Sequence, residues 1–190
     1  MDLPEITQAI LIILGTSSIV HETTHQPLLK TLSAIVQLVI DLKSHGHKVV
    51  LVSSGAIGVG LKRMDMESKP KSLSGKQVRG LDHSSFRISY WSQALAAIGQ
   101  GRLIALWDNL FGLLEQPIAQ VLLTRGDISD VSGSAVVLSR FDVVLQRTRY
   151  LNAVNTFKEL LSMGVVPIVN ENDTVSVSVS TFFCPWFATK

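Results

Sequence analysis

The sequence predicts an α/β domain built on a parallel sheet with helices on both faces. Three observations carry this. Four short, mostly apolar runs, at 9–14, 48–52, 118–123 and 165–169, have the length and composition of strands buried on both sides. The longer segments between them repeat apolar residues at three- and four-residue steps, the period of an amphipathic helix. Small polar residues follow the runs, as strand ends that turn require. Strands alternating with helices favour a parallel sheet.

Taken in order, residues 9–14 (AILIIL) form the first strand, closed by Gly15-Thr16-Ser17-Ser18. Asp2 and Glu5 precede this run where a signal peptide would be basic, and it is too short to span a bilayer, so a buried strand is expected. Leu32, Ile35, Val36, Val39 and Leu42 mark a helix over 31–44, and Gly46 sits where a helix C-terminus favours glycine. Strand 48–52 runs into Ser53-Ser54-Gly55-Ala56-Ile57-Gly58-Val59-Gly60. Helix 94–114, strand 118–123, helix 152–163 and strand 165–169 follow, the last ending in Asn170-Glu171-Asn172-Asp173.

With 190 residues, 46% of them hydrophobic, and a mean hydropathy of +0.33, the chain can bury one ordinary core and is not disordered in composition. A net charge of +2 without a basic block gives no nucleic-acid footprint. No segment reads as a membrane span. The single cysteine, Cys184, cannot form an internal disulfide, and a cytoplasmic location is expected. The five histidines show no metal-ligand spacing.

In open parallel sheets ligands sit beyond the carboxyl ends of the strands. Gly15–Ser18, Ser53–Gly60 and Asn170–Asp173 all fall there. Small residues let backbone N–H groups converge on an anion, so the first two segments suit a phosphate or carboxylate. Carboxylates at a strand end suit an ammonium group, and asparagine both donates and accepts. Plain solvated turns would have the same composition. The glycines at 55, 58 and 60 read G-x-x-G-x-G, not a dinucleotide fingerprint, and Gly75-Lys76-Gln77 lacks the rest of a P-loop.

Several stretches resemble glutamate 5-kinase. They are Leu14–Ser18, 46–57 (GHKVVLVSSGAI), 96–103 (AAIGQGRL), 120–125 (QVLLTR) and above all 166–174 (VPIVNENDT). The resemblance implies a three-layer αβα sandwich, the amino-acid-kinase fold. It implies transfer of the ATP γ-phosphoryl, with Mg²⁺, to the side-chain carboxylate of L-glutamate, the first step of proline biosynthesis. By motif position, Ser54, Asn170 and Asp173 bind glutamate, while Gly15, Thr16, Ser17 and Gly55 face the phosphoryl group. Proline is implied as a feedback inhibitor, and homo-oligomerisation is left open. A kinase of another small acid in the same superfamily, or a non-catalytic module that binds glutamate or proline, are the rival readings.

The chain departs from the family pattern in three ways. Ile13 stands where the family has a lysine that neutralises phosphoryl charge. The Gly-Asp-Asn-Asp motif that completes the glutamate site, and the ATP-binding half, do not follow Asp173. Two segments of 16 residues, 78–93 and 131–146, interrupt the pattern, which is lost again from Val179. Each opens with Val-Arg or Val-Ser and both inserts end in Gln, residues that intron donor and acceptor sequences can encode. The expectation is therefore an N-terminal, glutamate-binding part over 1–178, interrupted by two intron-derived inserts that leave the domain as surface excursions, and an aberrant tail over 179–190. Genuine family-specific loops are the alternative. No useful turnover is expected of such a chain.

Overall fold

The computed structural model describes residues 9–66, 83–123 and 140–170, with side chains over 9–66, 91–123 and 148–170. Strand β1 (Ala9–Leu14) leads through the short α1 (Thr16–Ile19) to α2 (Leu29–Ser44) and β2 (Lys48–Ser53). Then come α3 (Ala56–Arg63), α4 (His83–Gly112), β3 (Ile118–Val121), α5 (Arg140–Ser162) and β4 (Val166–Asn170). The four described strands form one wholly parallel sheet in the order β1-β2-β4-β3. The predicted fold class is the one observed.

The continuous apolar runs have a direct cause, because adjacent residues of one strand feed different cores. Val49 and Leu51 of β2, with Val166 and Ile168 of β4, pack against Leu32, Val36 and Val39 of α2 and Leu103, Trp107 and Phe111 of α4. Val50, Val52 and Val169 point the other way, onto Val154, Phe157 and Leu161 of α5. Trp107, Phe111 and Phe157 are fully buried. Burying side chains of this class stabilises by about 1.5–3 kcal/mol each, so these two layers carry most of the cohesion.

Pro167 stands inside β4, a central strand, where a missing N–H would normally break a ladder. The pairing accommodates it. The β2–β4 register starts at Leu51↔Ile168, one residue after the proline, whereas Pro167 itself lies opposite Ala119 of β3.

Four elements differ from the sequence reading. Residues 16–19 form a helical turn rather than loop, and 56–63 form α3, where glycines had suggested a loop. Helix α4 starts at His83, not at 94, and α5 starts at Arg140, not at 152. Neither helix breaks at an insert boundary, and the parts of the inserts over 83–93 and 140–146 are helical. Those stretches contain no glycine or proline, so nothing local stops the helix. Over the part of α4 whose side chains are described, from Trp91 on, the first buried residue is Leu95, with Trp91 48% exposed and Leu95 1%. The remainder of both inserts and the tail lie outside the described residues.

Candidate functional site

Parallel pairing sets three strand ends in one row. Leu14 is the register partner of Ser53, and Ser53 of Asn170. The residues just beyond therefore stand side by side. The Ser54 N–H donates to the Leu14 carbonyl at 3.1 Å, tying the end of β2 to that of β1. Of the residues expected to bind substrate, Ser54 and Asn170 are thus brought to the same edge as Gly15, Thr16, Ser17 and Gly55. Asp173, with Glu171 and Asn172, lies outside the described residues.

The edge is lined by backbone. Gly15, Thr16 and Ser17 are exposed, and a Cβ on Gly15 would meet nothing within 4 Å. Gly55 adopts φ +96 as the N-cap of α3, a left-handed conformation that costs an L-residue about 1–2 kcal/mol. Its side-chain-free cap makes no hydrogen bond to the helix, and the helical ladder starts with Val59 N–H to the Gly55 carbonyl at 3.0 Å. The amides of Ala56, Ile57 and Gly58 consequently have no acceptor within the helix. Helix α3 starts three residues after Ser53, the last residue of β2, so the positive end of its dipole stands near that strand end, where a negative charge is favoured.

Helix α4 fixes where α3 begins. A Cβ on Gly99 would collide with the Ala56 carbonyl oxygen, and one on Gly60 with the Leu95 carbonyl oxygen. The two helices therefore touch backbone to backbone, through a pair of glycines 39 positions apart. Sequence reasoning had assigned Gly60 to a ligand loop. Its actual work is to let α4 approach.

Behind the row lies a cavity of about 10 Å³, lined by Ser53, Gln100, Trp107, Gln120 and Asn170 with three apolar side chains. That is about the room one water occupies. The Asn170 Oδ1 is buried in this region without a hydrogen-bond partner among the described residues. A buried orphan acceptor costs about 1–3 kcal/mol, so native structures keep few of them. Beside it the Trp107 Nε1–H donates to Ser53 Oγ at 3.1 Å, and Ser53 Oγ donates to the Ser54 carbonyl at 3.4 Å. Sequence reasoning places Ser53 in the anion-suited segment 53–60 and misses Gln100, Trp107 and Gln120 as lining of this cavity. The available signal was a polar residue at 100 and an indole at 107, seven apart on one face of a helix.

Ile13 pairs with Val52 in β1 and is 50% exposed, an apolar side chain at the mouth of a polar edge. Among the described residues no group of three His, Cys, Asp or Glu side chains could hold a metal ion. No helix among them is long and apolar enough to cross a membrane.

A wholly parallel sheet whose carboxyl edge carries small-residue segments is an α/β architecture, and residues 8–184 match the model of the Amino acid kinase family. The chain belongs to that family. It is 49% identical over 176 residues to the probable glutamate 5-kinase of Schizosaccharomyces pombe, covering 93% of this chain and 36% of that protein. The glutamate 5-kinase of Nostoc punctiforme is 43% identical over 93% of this chain and 39% of its own length. That of Nostoc sp. is 42% identical over 94% and 39%. The chain thus spans well under half the length of these curated relatives.

Proposed function

We propose that this chain is the glutamate-binding part of a glutamate 5-kinase, acting in the cytoplasm on the first step of proline biosynthesis. The observation that carries the reading is the row Leu14–Ser53–Asn170, which sets the backbone of Gly15–Ser17, the first turn of α3 and the Ser54 and Asn170 side chains around one edge. Likeness to the named glutamate 5-kinases over more than nine-tenths of the chain supports it. The domain reading, 1–178 with inserts at 78–93 and 131–146 and a tail from 179, belongs to the same proposal.

In this reaction a side-chain carboxylate oxygen of L-glutamate attacks the γ-phosphorus of ATP, an acyl phosphate forms, and ADP leaves. Mg²⁺, when bound with ATP, supplies positive charge to the phosphates. The chain's own residues position and stabilise. Ser54, Asn170 and Asp173 hold the glutamate, with the Asp173 carboxylate suited to its ammonium group. The amides of Ala56, Ile57 and Gly58 and the backbone of Gly15–Ser17 face the charge that builds on the phosphoryl oxygens, where fixed donors are most effective.

Ile13 favours a second reading, a module that binds glutamate or proline without turnover, because a half-exposed apolar side chain supplies no cation there. Isothermal calorimetry tests the first reading. L-Glutamate is expected to bind, with affinity lost on Ser54→Ala and on Asp173→Ala. Undiminished binding in the double variant would remove these residues from the site. Ile13→Lys separates the two readings: it is expected to tighten inorganic phosphate binding if position 13 faces the phosphoryl group, and to leave it unchanged in a purely amino-acid-binding module.

A further inference from the structure

The end of α3 remote from Gly55 carries Lys62 and Arg63 in its last turn. Across a groove from them, α4 presents Arg102 and Asn109. The groove has a volume of about 410 Å³. Its floor is apolar, with Val59 8% and Leu103 3% exposed. Among the described residues no acidic side chain lines it, and Asp65 and Asp108 are not part of its lining. None of the three cations forms an ion pair among the described residues.

Surface cations ordinarily project into solvent, apart from one another and over convex ground. Here three line one concavity, where low-dielectric walls focus their field. Two are guanidiniums, whose planar forks match phosphate or carboxylate oxygens in pairs. A bare inorganic ion would leave the apolar floor uncovered, and a neutral apolar molecule would leave three charges without a partner. The volume lies in the range of small-molecule sites, roughly 300–1,000 Å³. We propose that this groove binds a small organic anion carrying at least two negative charges on an apolar body, the chemistry of a nucleoside monophosphate. The Lys62, Arg63 and Arg102 side chains take the charged end, and Val59 and Leu103 take the body. The proposal does not rest on the glutamate reading.

The probe is AMP, titrated into the full 190-residue chain by calorimetry, with adenosine and inorganic phosphate as its two halves. Saturable binding of AMP in the range of about 1 mM or tighter is expected, with each half at least about tenfold weaker. Arg63→Gln and Arg102→Gln are exposed substitutions that leave the core intact, and each should weaken AMP about tenfold or more. Arg102→Lys should retain part of the affinity, and Ser54→Ala should retain all of it. Three results would overturn the proposal: no saturation, binding unchanged in both glutamine variants, or inorganic phosphate binding as tightly as AMP. Loss of AMP binding in Ser54→Ala, with the groove variants unaffected, would also overturn it by moving the ligand to the strand edge.

Discussion

Replacing Gly99 by alanine adds one methyl group at the tightest crossing in the molecule. The new Cβ would collide with the Ala56 carbonyl oxygen and lie 2.5 Å from the Gly60 nitrogen. Ordinary contact begins at 3.4 Å, so the crossing must open by about 1 Å at the Gly60 nitrogen and by more at the Ala56 carbonyl oxygen. Neither obstacle is a side chain that could swing aside. Overpacking of this kind costs about 1–3 kcal/mol. For a chain of this size, each kcal/mol lowers Tm by about 2–4 °C. The same displacement moves Ala56, and with it the first-turn amides of α3, away from the strand ends. A misplacement of about 1 Å in positioning groups can cost as much as 10²-fold, so glutamate or phosphate affinity should fall as well. The same helix contains its own control. A Cβ on Gly101 would meet nothing within 4 Å, so Gly101→Ala should stabilise by up to about 1 kcal/mol through helix propensity alone. Urea titrations of the two variants decide the matter. If Gly99→Ala proves as stable as Gly101→Ala, with an unchanged m-value, the backbone contact between α3 and α4 is not as described.

Trp107→Phe removes the indole donor to Ser53 Oγ and should cost about 1–3 kcal/mol, since Ser53 is buried at 2% exposure. A double-mutant cycle with Ser53→Ala checks this: coupling of at least about 0.5 kcal/mol is expected, and strict additivity would mean the bond contributes nothing. Lys43 of α2 donates to Gln116 Oε1 at 2.6 Å and to the Gly164 carbonyl, and partial burial lowers its pKa below the usual 10.5. Between that lowered value and 10.5 the unfolded chain binds more protons than the folded one, so stability rises with pH across this window. The increment is small because the side chain is only partly buried and solvent screens its charge. Lys43→Met should flatten it, and equal slopes in urea midpoints measured at pH values just below 10.5 would remove Lys43 as the source.

Much of the fold was legible because parallel strands between two helix layers leave continuous apolar runs, and all four described strands fall where those runs fall. The row of strand ends follows from the same logic, which places segments 15–18, 53–60 and 170–173 at one edge, while the roles of Gly15, Ser54, Gly55 and Asn170 within them are what the resemblance to glutamate 5-kinase implies. Helix α3 was not legible. Gly58 and Gly60 each cost about 1 kcal/mol of helix propensity relative to alanine, and only contact with α4 overrides that cost. That contact joins residues far apart in sequence, Gly60 with Leu95 and Ala56 with Gly99. The polar cavity behind Asn170 was hidden for the same reason. Trp107 reaches Ser53 across 54 positions, and no local pattern announces such a bond. The start of α4 has a different cause: the change in sequence character at 93/94 suggests a boundary, but chain conformation follows the absence of helix breakers, and the helix runs from His83.

The row Leu14–Ser53–Asn170 as the binding edge for glutamate is tested most directly by amide chemical shifts of the ¹⁵N-labelled 190-residue chain titrated with L-glutamate. The largest changes should fall on Gly15, Thr16 and Ser17, on Ser54 through Ile57, and on Asn170, and they should saturate with a single affinity. Changes concentrated instead at the far end of α3 and the facing stretch of α4, around Arg63 and Arg102, or no saturable change at any amide of the row, would contradict the assignment of this edge as the glutamate site.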